Sequence, residues 1–296
     1  MKNGAMVGGD SRMTVVVLTH DRISEVSRTL ERLLDLREDA AIIVVDNGSS
    51  DGTSEILARR FPSVRIMTLG ANVGAAGRNA GIRASETPYV ALCDDDTWWA
   101  PGSLARAADV LDAHPKVAVV TGRVLVGPDE REDPTCAQMA NSPLPAESGL
   151  PGKPVLGFLA GASMIRRRAF LDVGGFEARF FLGGEESLVA ADLAAAGRQM
   201  LYMRDVVVHH YPSPQRDTRR RRRLLLRNAL WFTWLRRPLR SAARVTGHLL
   251  RSALHDPYQA SGFFQALGGL PWIIRQRRCL PDAIEAALLK LDRHVS

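Results

Sequence analysis

The chain alternates short apolar runs with stretches whose apolar residues recur at helical spacing. Thr14 to Thr19 (TVVVLT) is β-branched, apolar and too short for a helix, and so predicts a buried parallel strand. Ser24 to Leu36 then sets Val26, Leu30, Leu33 and Leu34 near one helical face. Ala41 to Asp46 (AIIVVD) predicts a second strand, Ser54 to Arg60 a short helix, Val64 to Leu69 a third strand and Tyr89 to Cys93 a fourth. Between the last two, Val73 to Ser85 carries three glycines and predicts a loop entering a helix. This order of strands and helices indicates a doubly wound parallel sheet in the α/β class. Ligands of such sheets sit beyond the carboxyl ends of the strands, where this chain places Thr19, Asp46, Asn72 and the triplet Asp94, Asp95 and Asp96.

After Leu104 the pattern changes. Ser103 to Pro115 predicts a helix stopped by its proline, Val117 to Gly127 a strand, and Gly127 to Pro154 a proline-rich loop region. Order resumes at Val155, with a helix over Glu185 to Gly197 and a strand within Leu201 to Pro214. From Gln215 onward the pattern is of basic amphipathic helices broken at Pro238, Pro257 and Pro271. The expected division is a loosely held N-terminus over 1–12, a sheet domain over 13–214 and a basic helical region over 215–296.

Composition changes this picture little. The 296 residues are 46% hydrophobic and 24% charged, ordinary for a globular protein. No apolar run approaches the roughly 18 residues of a membrane span, and the first residues lack the apolar core of a signal peptide. Three distant cysteines suggest neither a disulfide framework nor a zinc site, so a reducing, cytoplasmic setting is expected. Charge matters more. The chain carries +7, and Arg216 to Arg240 holds much of the excess.

Three adjacent carboxylates at a strand end repel one another. A helix N-terminus near Pro101 or Ser103 explains one or two of them. A phosphatase-like nucleophile is rejected, because Thr97 follows Asp96 directly and the strand is the fourth. A divalent cation between carboxylates and a diphosphate explains all three.

Together with VVVLTHDR, VVDNGSSDGT, GAAGRNAGI, VGGF and GGEES, the triplet segment LCDDDTWWAPG resembles the GT-A nucleotide-sugar glycosyltransferases, specifically the inverting family 2, over roughly Met13 to Pro214. The resemblance implies a Rossmann-like, mostly parallel sheet flanked by helices, and transfer of a sugar from a UDP- or dTDP-sugar to an acceptor hydroxyl with Mn²⁺ or Mg²⁺. It implies that Thr19, His20, Asp21 and Arg22 contact the base, that Asp46 accepts from base or ribose, and that Gly74 and Gly77 let backbone approach the nucleotide beside Arg78 and Asn79. An Asx turn ahead of Gly48 is the alternative for Asp46. By the same resemblance Asp94 and Asp95 meet ribose and donor sugar, while Asp96, with Asp94 and one of His209 or His210, holds the metal. Glu185 and Glu186 fall where the family has its acidic pair. Glu186 stands at the base's position, ionised at neutral pH, in place of the usual Asp, with favourable helix N-terminal charge as the alternative. Trp98 and Trp99 are candidates for acceptor stacking or for core packing.

The tail, Arg219 to Leu239, has cations beside Leu, Trp and Phe, as an interfacial helix does. An anionic membrane surface at the inner face, packing on the domain and a homodimer contact are the readings it allows. No nucleic-acid recognition module accompanies it. The acceptor class implied is a carbohydrate, a lipid-linked sugar or a small molecule. Two rival functions remain: a sugar nucleotidyltransferase, against which the first loop lacks Gly and Lys, and a non-catalytic nucleotide-sugar-binding partner, against which the carboxylates are present.

Overall fold

The computed structural model describes residues 10–213, 218–254 and 256–295. Ten strands form one sheet: β1 (Met13–Thr19), β2 (Ala41–Asp46), β3 (Arg65–Thr68), β4 (Tyr89–Asp94), β5 (Thr97–Trp99), β6 (Val117–Val126), β7 (Arg131–Glu132), β8 (Lys153–Pro154), β9 (Ser163–Arg166) and β10 (Gln199–His210). The order is β3-β2-β1-β4-β9-β6-β10-β5, with β7 on β6 and β8 on β10. The first four strands are parallel. β9 is antiparallel to β4 and β6, and β5 is antiparallel to β10. Helices flank the sheet, as the apolar pattern predicts.

Register explains why polar residues gather at one edge. Thr19 pairs with Asp46, Asp46 with Thr68, and Leu18 with Asp94, so the carboxyl ends of β1, β2, β3 and β4 lie level. Below that edge Val16, Val17, Val44, Val45, Val90 and Leu92 are fully buried and form the core.

The proline-rich segment departs from the expected loop. Pro134–Ala140 is a helix, started by the Asp133 side chain accepting from the Thr135 N–H (2.8 Å), with proline at the first position where no donor is needed. Of the terminus expected to be loose, residues 1–9 lie outside the described residues. Arg12 is held by ion pairs to Asp10 (2.6 Å), Asp109 (2.9 Å) and Asp112 (2.6 Å).

The C-terminal residues form helices Thr218–Arg236, Leu239–Ala253, Pro257–Leu267, Leu270–Gln276 and Asp282–Val295. Each expected break coincides with a helix start: Pro238 caps one, Pro257 opens the next and Pro271 sits in a first turn. Most Leu and Trp residues of the first helix are covered, although Leu225 stays exposed. Leu226, Leu230, Trp231 and Leu235 pack with Phe180 and Leu188 into a second core, and Arg236 binds Asp192 through both carboxylate oxygens (2.5 and 2.9 Å). Among the described residues no helix is long and apolar enough to cross a membrane.

Candidate active site at the strand ends

The triplet turns its three carboxylates in different directions. Asp94, the last residue of β4, pairs with the buried Arg78 guanidinium. Asp95 points inward, accepting from Thr19 Oγ1 (3.2 Å) and from Arg22 (3.2 Å). Asp96 faces His210, with Oδ1 3.5 Å from Nε2, and lies 3.6 Å from Arg22. The repulsion expected from sequence is thus met by two guanidinium groups and an imidazole.

The two neighbours titrate apart. Burial, with the charges of Asp96 and Asp94, raises Asp95 to about 7, although Arg22 opposes it. Burial also pushes Asp96 upward, but His210 and Arg22 outweigh it and hold that carboxyl below its ordinary range.

Strand alternation separates the two histidines. His210 opposes Thr97 on β5 and faces the triplet, whereas His209 opposes Trp98 and stacks on it at 5.8 Å. Trp98 also packs on Tyr211 (4.7 Å), and Trp99 is wholly buried, so both tryptophans serve packing rather than an exposed stacking platform. The expected trio of metal ligands does not converge, because Asp94 is turned to Arg78. Among the described residues no three His, Cys, Asp or Glu side chains gather as a metal group. Asp96 and His210 remain as a hard oxygen and an imidazole nitrogen that fit Mn²⁺ or Mg²⁺, with the other coordination positions left to a ligand.

The first two loops are knitted together. Asp21, at φ 51°, accepts from the Ser50 N–H (2.7 Å), and its own N–H donates to Ser49 Oγ (2.9 Å). His20 Nε2 lies 3.3 Å from Asp21, while its Nδ1 is buried without a partner. Asp46 is buried and its carboxylate holds its own loop: the Ser49 N–H donates to one oxygen (2.9 Å) and the Ser54 hydroxyl to the other. Asn79 is likewise structural, exchanging hydrogen bonds with the Phe176 backbone (2.8 and 3.0 Å).

Gly74 and Gly77 answer to protein rather than to open space. Gly77 packs on Leu18 and Asn47. A Cβ on Gly74 would fall 1.9 Å from the Phe181 carbonyl oxygen, and the adjacent Ala75 N–H donates to that oxygen at 2.7 Å. The loop after β3 therefore touches the segment leading to the acidic pair.

Glu185 and Glu186 open the helix Glu185–Ala195 behind Gly184. Glu185 is buried and its Oε2 lacks a hydrogen-bond partner. Burial raises its carboxyl, against the pull of Arg78. Glu186 keeps a partial opening to solvent, yet burial and the charge of Glu185 push it up to about 8. Desolvation opposes the ionised form and outweighs the backbone dipoles of the helix start. Arg78, paired with Asp94, also lies within electrostatic reach of both glutamates, and all three carboxylates favour its charged form.

Sequence reading missed two positioning residues. Asn47 donates to Asn72 Oδ1 and to the Gly74 carbonyl, both at 3.0 Å, and accepts from the Val73 N–H (3.0 Å). Asn228, from the C-terminal region, donates to the carbonyls of Phe180 (2.8 Å), Leu182 (3.1 Å) and Gly183 (2.5 Å) and so holds the loop before Glu185. Its signal is a small amide in an otherwise apolar and cationic stretch, LLLRNALWF.

Known structures share this sheet. The mannosyltransferase PcManGT from Pyrobaculum calidifontis, solved with GDP-Man and Mn²⁺, superposes with a TM-score of 0.58 at 19% identity, over 99% of this chain and 90% of that one. TarS of S. aureus superposes at 0.55 and 20% identity over 74% of this chain, which spans 40% of TarS. The fold is thereby GT-A. The chain belongs to glycosyl transferase family 2, whose model matches residues 14–174, and it is a glycosyltransferase. A relative covering 82% of the chain and 94% of its own length, at 26% identity, is the N-acetylglucosaminyl-diphospho-decaprenol L-rhamnosyltransferase of Mycobacterium tuberculosis.

Proposed function

We propose that this glycosyltransferase is inverting and moves a sugar from a UDP- or dTDP-sugar to an acceptor hydroxyl with a divalent cation. The observation that carries the reading is that Arg78 pairs with Asp94, at the strand ends, while lying within electrostatic reach of the Glu185–Glu186 pair. Donor and acceptor sides of one reaction centre need that nearness. Thr19, Asp21 and Arg22 receive the nucleotide, with Asp46 shaping their loop and Gly74 letting the loop after β3 close on the segment before Glu185. Asp94, Asp95 and Arg78 receive ribose and donor sugar. The family's region 13–214 carries these groups, and the region from 215 completes it through Asn228.

Glu186 removes the acceptor's proton onto a carboxylate oxygen, as general base. The freed oxygen bonds to the anomeric carbon from the face opposite the diphosphate. The bond to the diphosphate breaks, its electrons leave with that group, and configuration inverts. Glu185, buried beside Glu186, orients the pair. Asp96 and His210 would hold Mn²⁺ or Mg²⁺, which when bound supplies Lewis-acid neutralisation of the departing diphosphate. The Mn²⁺ and GDP-Man bound in the archaeal mannosyltransferase support this part of the reading. The name of the mycobacterial relative supports a lipid-diphosphate-linked sugar as the acceptor class.

Turnover of UDP- and dTDP-sugars with Mn²⁺, with chelator and after Mn²⁺ is restored tests the proposal. Chelator-sensitive transfer with inverted product is expected. Retained configuration would overturn the base assignment, and full activity in chelator would remove the cation. Formation of nucleotide-sugar from sugar phosphate would favour the nucleotidyltransferase reading instead.

A further inference from the structure

Away from the strand ends, a cavity of about 410 Å³ opens where the C-terminal helices meet the loop before Glu185. Two arginine–tryptophan pairs line it. Arg227 lies 4.3 Å from the Trp231 ring centroid and Arg179 4.9 Å from that of Trp272. Gln265 and Gly268 close its side. Arg179 is paired with Glu177 (3.2 Å). Arg227 differs: among the described residues its partners are the carbonyls of Arg179 and Phe180 and the Asn228 side-chain oxygen, with no carboxylate. Burial and the neighbouring Arg223 push its guanidinium down to about 10, and Arg223 Nε is itself buried without a partner. A half-buried cation short of counter-charge is costly unless an anion completes it.

The surroundings say which anion. Phe264, Leu267, Leu270 and Ile274 bracket Gln265 and Gly268 along the chain and remain exposed, Phe264 by 71% and Ile274 by 75%. Leu254, on the preceding helical segment, is 76% exposed. One such residue is ordinary, whereas a run of them flanking in sequence the residues that line a cationic cavity is the pattern of a binding surface. Residues 215–296 hold 17 Arg and Lys against 5 Asp and Glu, +12 in a chain of +7. A second copy would set like charge against like charge. Exposed aliphatic side chains fit acyl chains, and the cations fit the phosphates beside them.

We propose that these helices bind an anionic lipid, its phosphate in the Arg179–Arg227 cavity and its chains against Phe264, Leu267, Leu270 and Ile274. The proposal goes beyond the transfer reaction and stands without it, since vesicle binding needs no turnover. The test is flotation of the full chain with vesicles of phosphatidylcholine, alone or mixed with phosphatidylglycerol, at low and high salt. Binding to the mixed vesicles that weakens with salt is expected. It should fall about tenfold in Arg227→Gln and in the double variant Phe264→Ser/Ile274→Ser, as befits loss of one charge contact or of buried apolar area. The double variant should keep wild-type melting and turnover on a soluble acceptor, which separates lost docking from misfolding. Equal binding to both vesicle types, or variants that bind like wild type, would overturn the proposal. Release by inorganic phosphate would assign the cavity to a free anion and overturn the lipid. Light scattering that shows a dimer abolished in the double variant would give the surface to a second copy and equally overturn it.

Discussion

Asp96 and Glu186 are the same functional group in opposite electrical states. At the end of β4 a carboxylate is buried and still held below its ordinary range, because His210 and Arg22 face it. At the head of the helix Glu185–Ala195 a carboxylate is raised to about 8, first by burial and then by the charge of the adjacent Glu185. Burial raises both carboxyls, and the neighbours decide whether the rise stands: His210 and Arg22 reverse it at Asp96, Glu185 adds to it at Glu186. A permanently charged group suits a cation and a diphosphate, while one that titrates near neutrality suits taking up a proton.

The sharpest way to break the comparison is to remove each carboxylate's charge. Glu186→Gln keeps shape and hydrogen bonding but loses basicity, so turnover should fall by about 10²–10⁴ with donor affinity unchanged. Glu185→Gln should be milder. Steady-state kinetics beside calorimetry of the donor checks both, and a larger loss at Glu185 would exchange the two roles.

Asp96→Ala should do the converse, with Mn²⁺-dependent binding of a nucleoside diphosphate weakened by about 100-fold or more, on the order of 3 kcal/mol for one lost charged ligand. Titration calorimetry with and without Mn²⁺ reads this, and unchanged affinity in the variant would remove Asp96 from the cation site.

A pH series sharpens the contrast. The base must be ionised to act, so kcat should climb with pH, about tenfold per unit below the Glu186 pKa, and level off above about 8. A rate that is flat from pH 6 to pH 9 would contradict a base of that pKa. Stability should move the other way. A carboxyl raised in the folded state costs nothing below its unfolded pKa, and the penalty grows until pH passes the folded value. Glu186→Gln should therefore leave melting unchanged near pH 4.5 and stabilise the protein at pH 8, by roughly 1–2 kcal/mol once partial exposure is allowed for. Equal melting shifts at both pH values would mean that the carboxyl is not strained.

The smallest expected effect is at Asn228. Its replacement by Ala takes the side-chain donor from the carbonyls of Leu182 and Gly183, at about 1–3 kcal/mol of stability, and should lower turnover severalfold without touching nucleotide binding. Scanning calorimetry and donor titration on the same variant distinguish this from damage to the donor side.

Local pattern carried much of the fold. β2 begins and ends where AIIVVD does, and the level strand ends follow from parallel order. What stayed hidden was long-range. β9 and β5 run antiparallel because of distant partners, and nothing in SMIR or TWW declares a direction. Asp133-Pro134 was a readable helix start inside a segment whose prolines suggested loop. Within the site, the residue types at the strand ends were legible, but their division of labour was not. Arg78 lies 16 residues from Asp94 in sequence and much further from Glu185, so only the folded chain shows that one guanidinium lies within electrostatic reach of both.

The contact between Gly74 and Phe181 has a consequence for reading relatives of this protein. One partner is a glycine whose replacement would collide with backbone, and the other contributes only its carbonyl oxygen. The side chain at 181 is thus free to vary as far as this contact is concerned, while position 74 is not. No compensating pair of substitutions exists for the two positions to exchange. Covariation across an alignment would leave this joint between the two loops blank, although backbone meets backbone there.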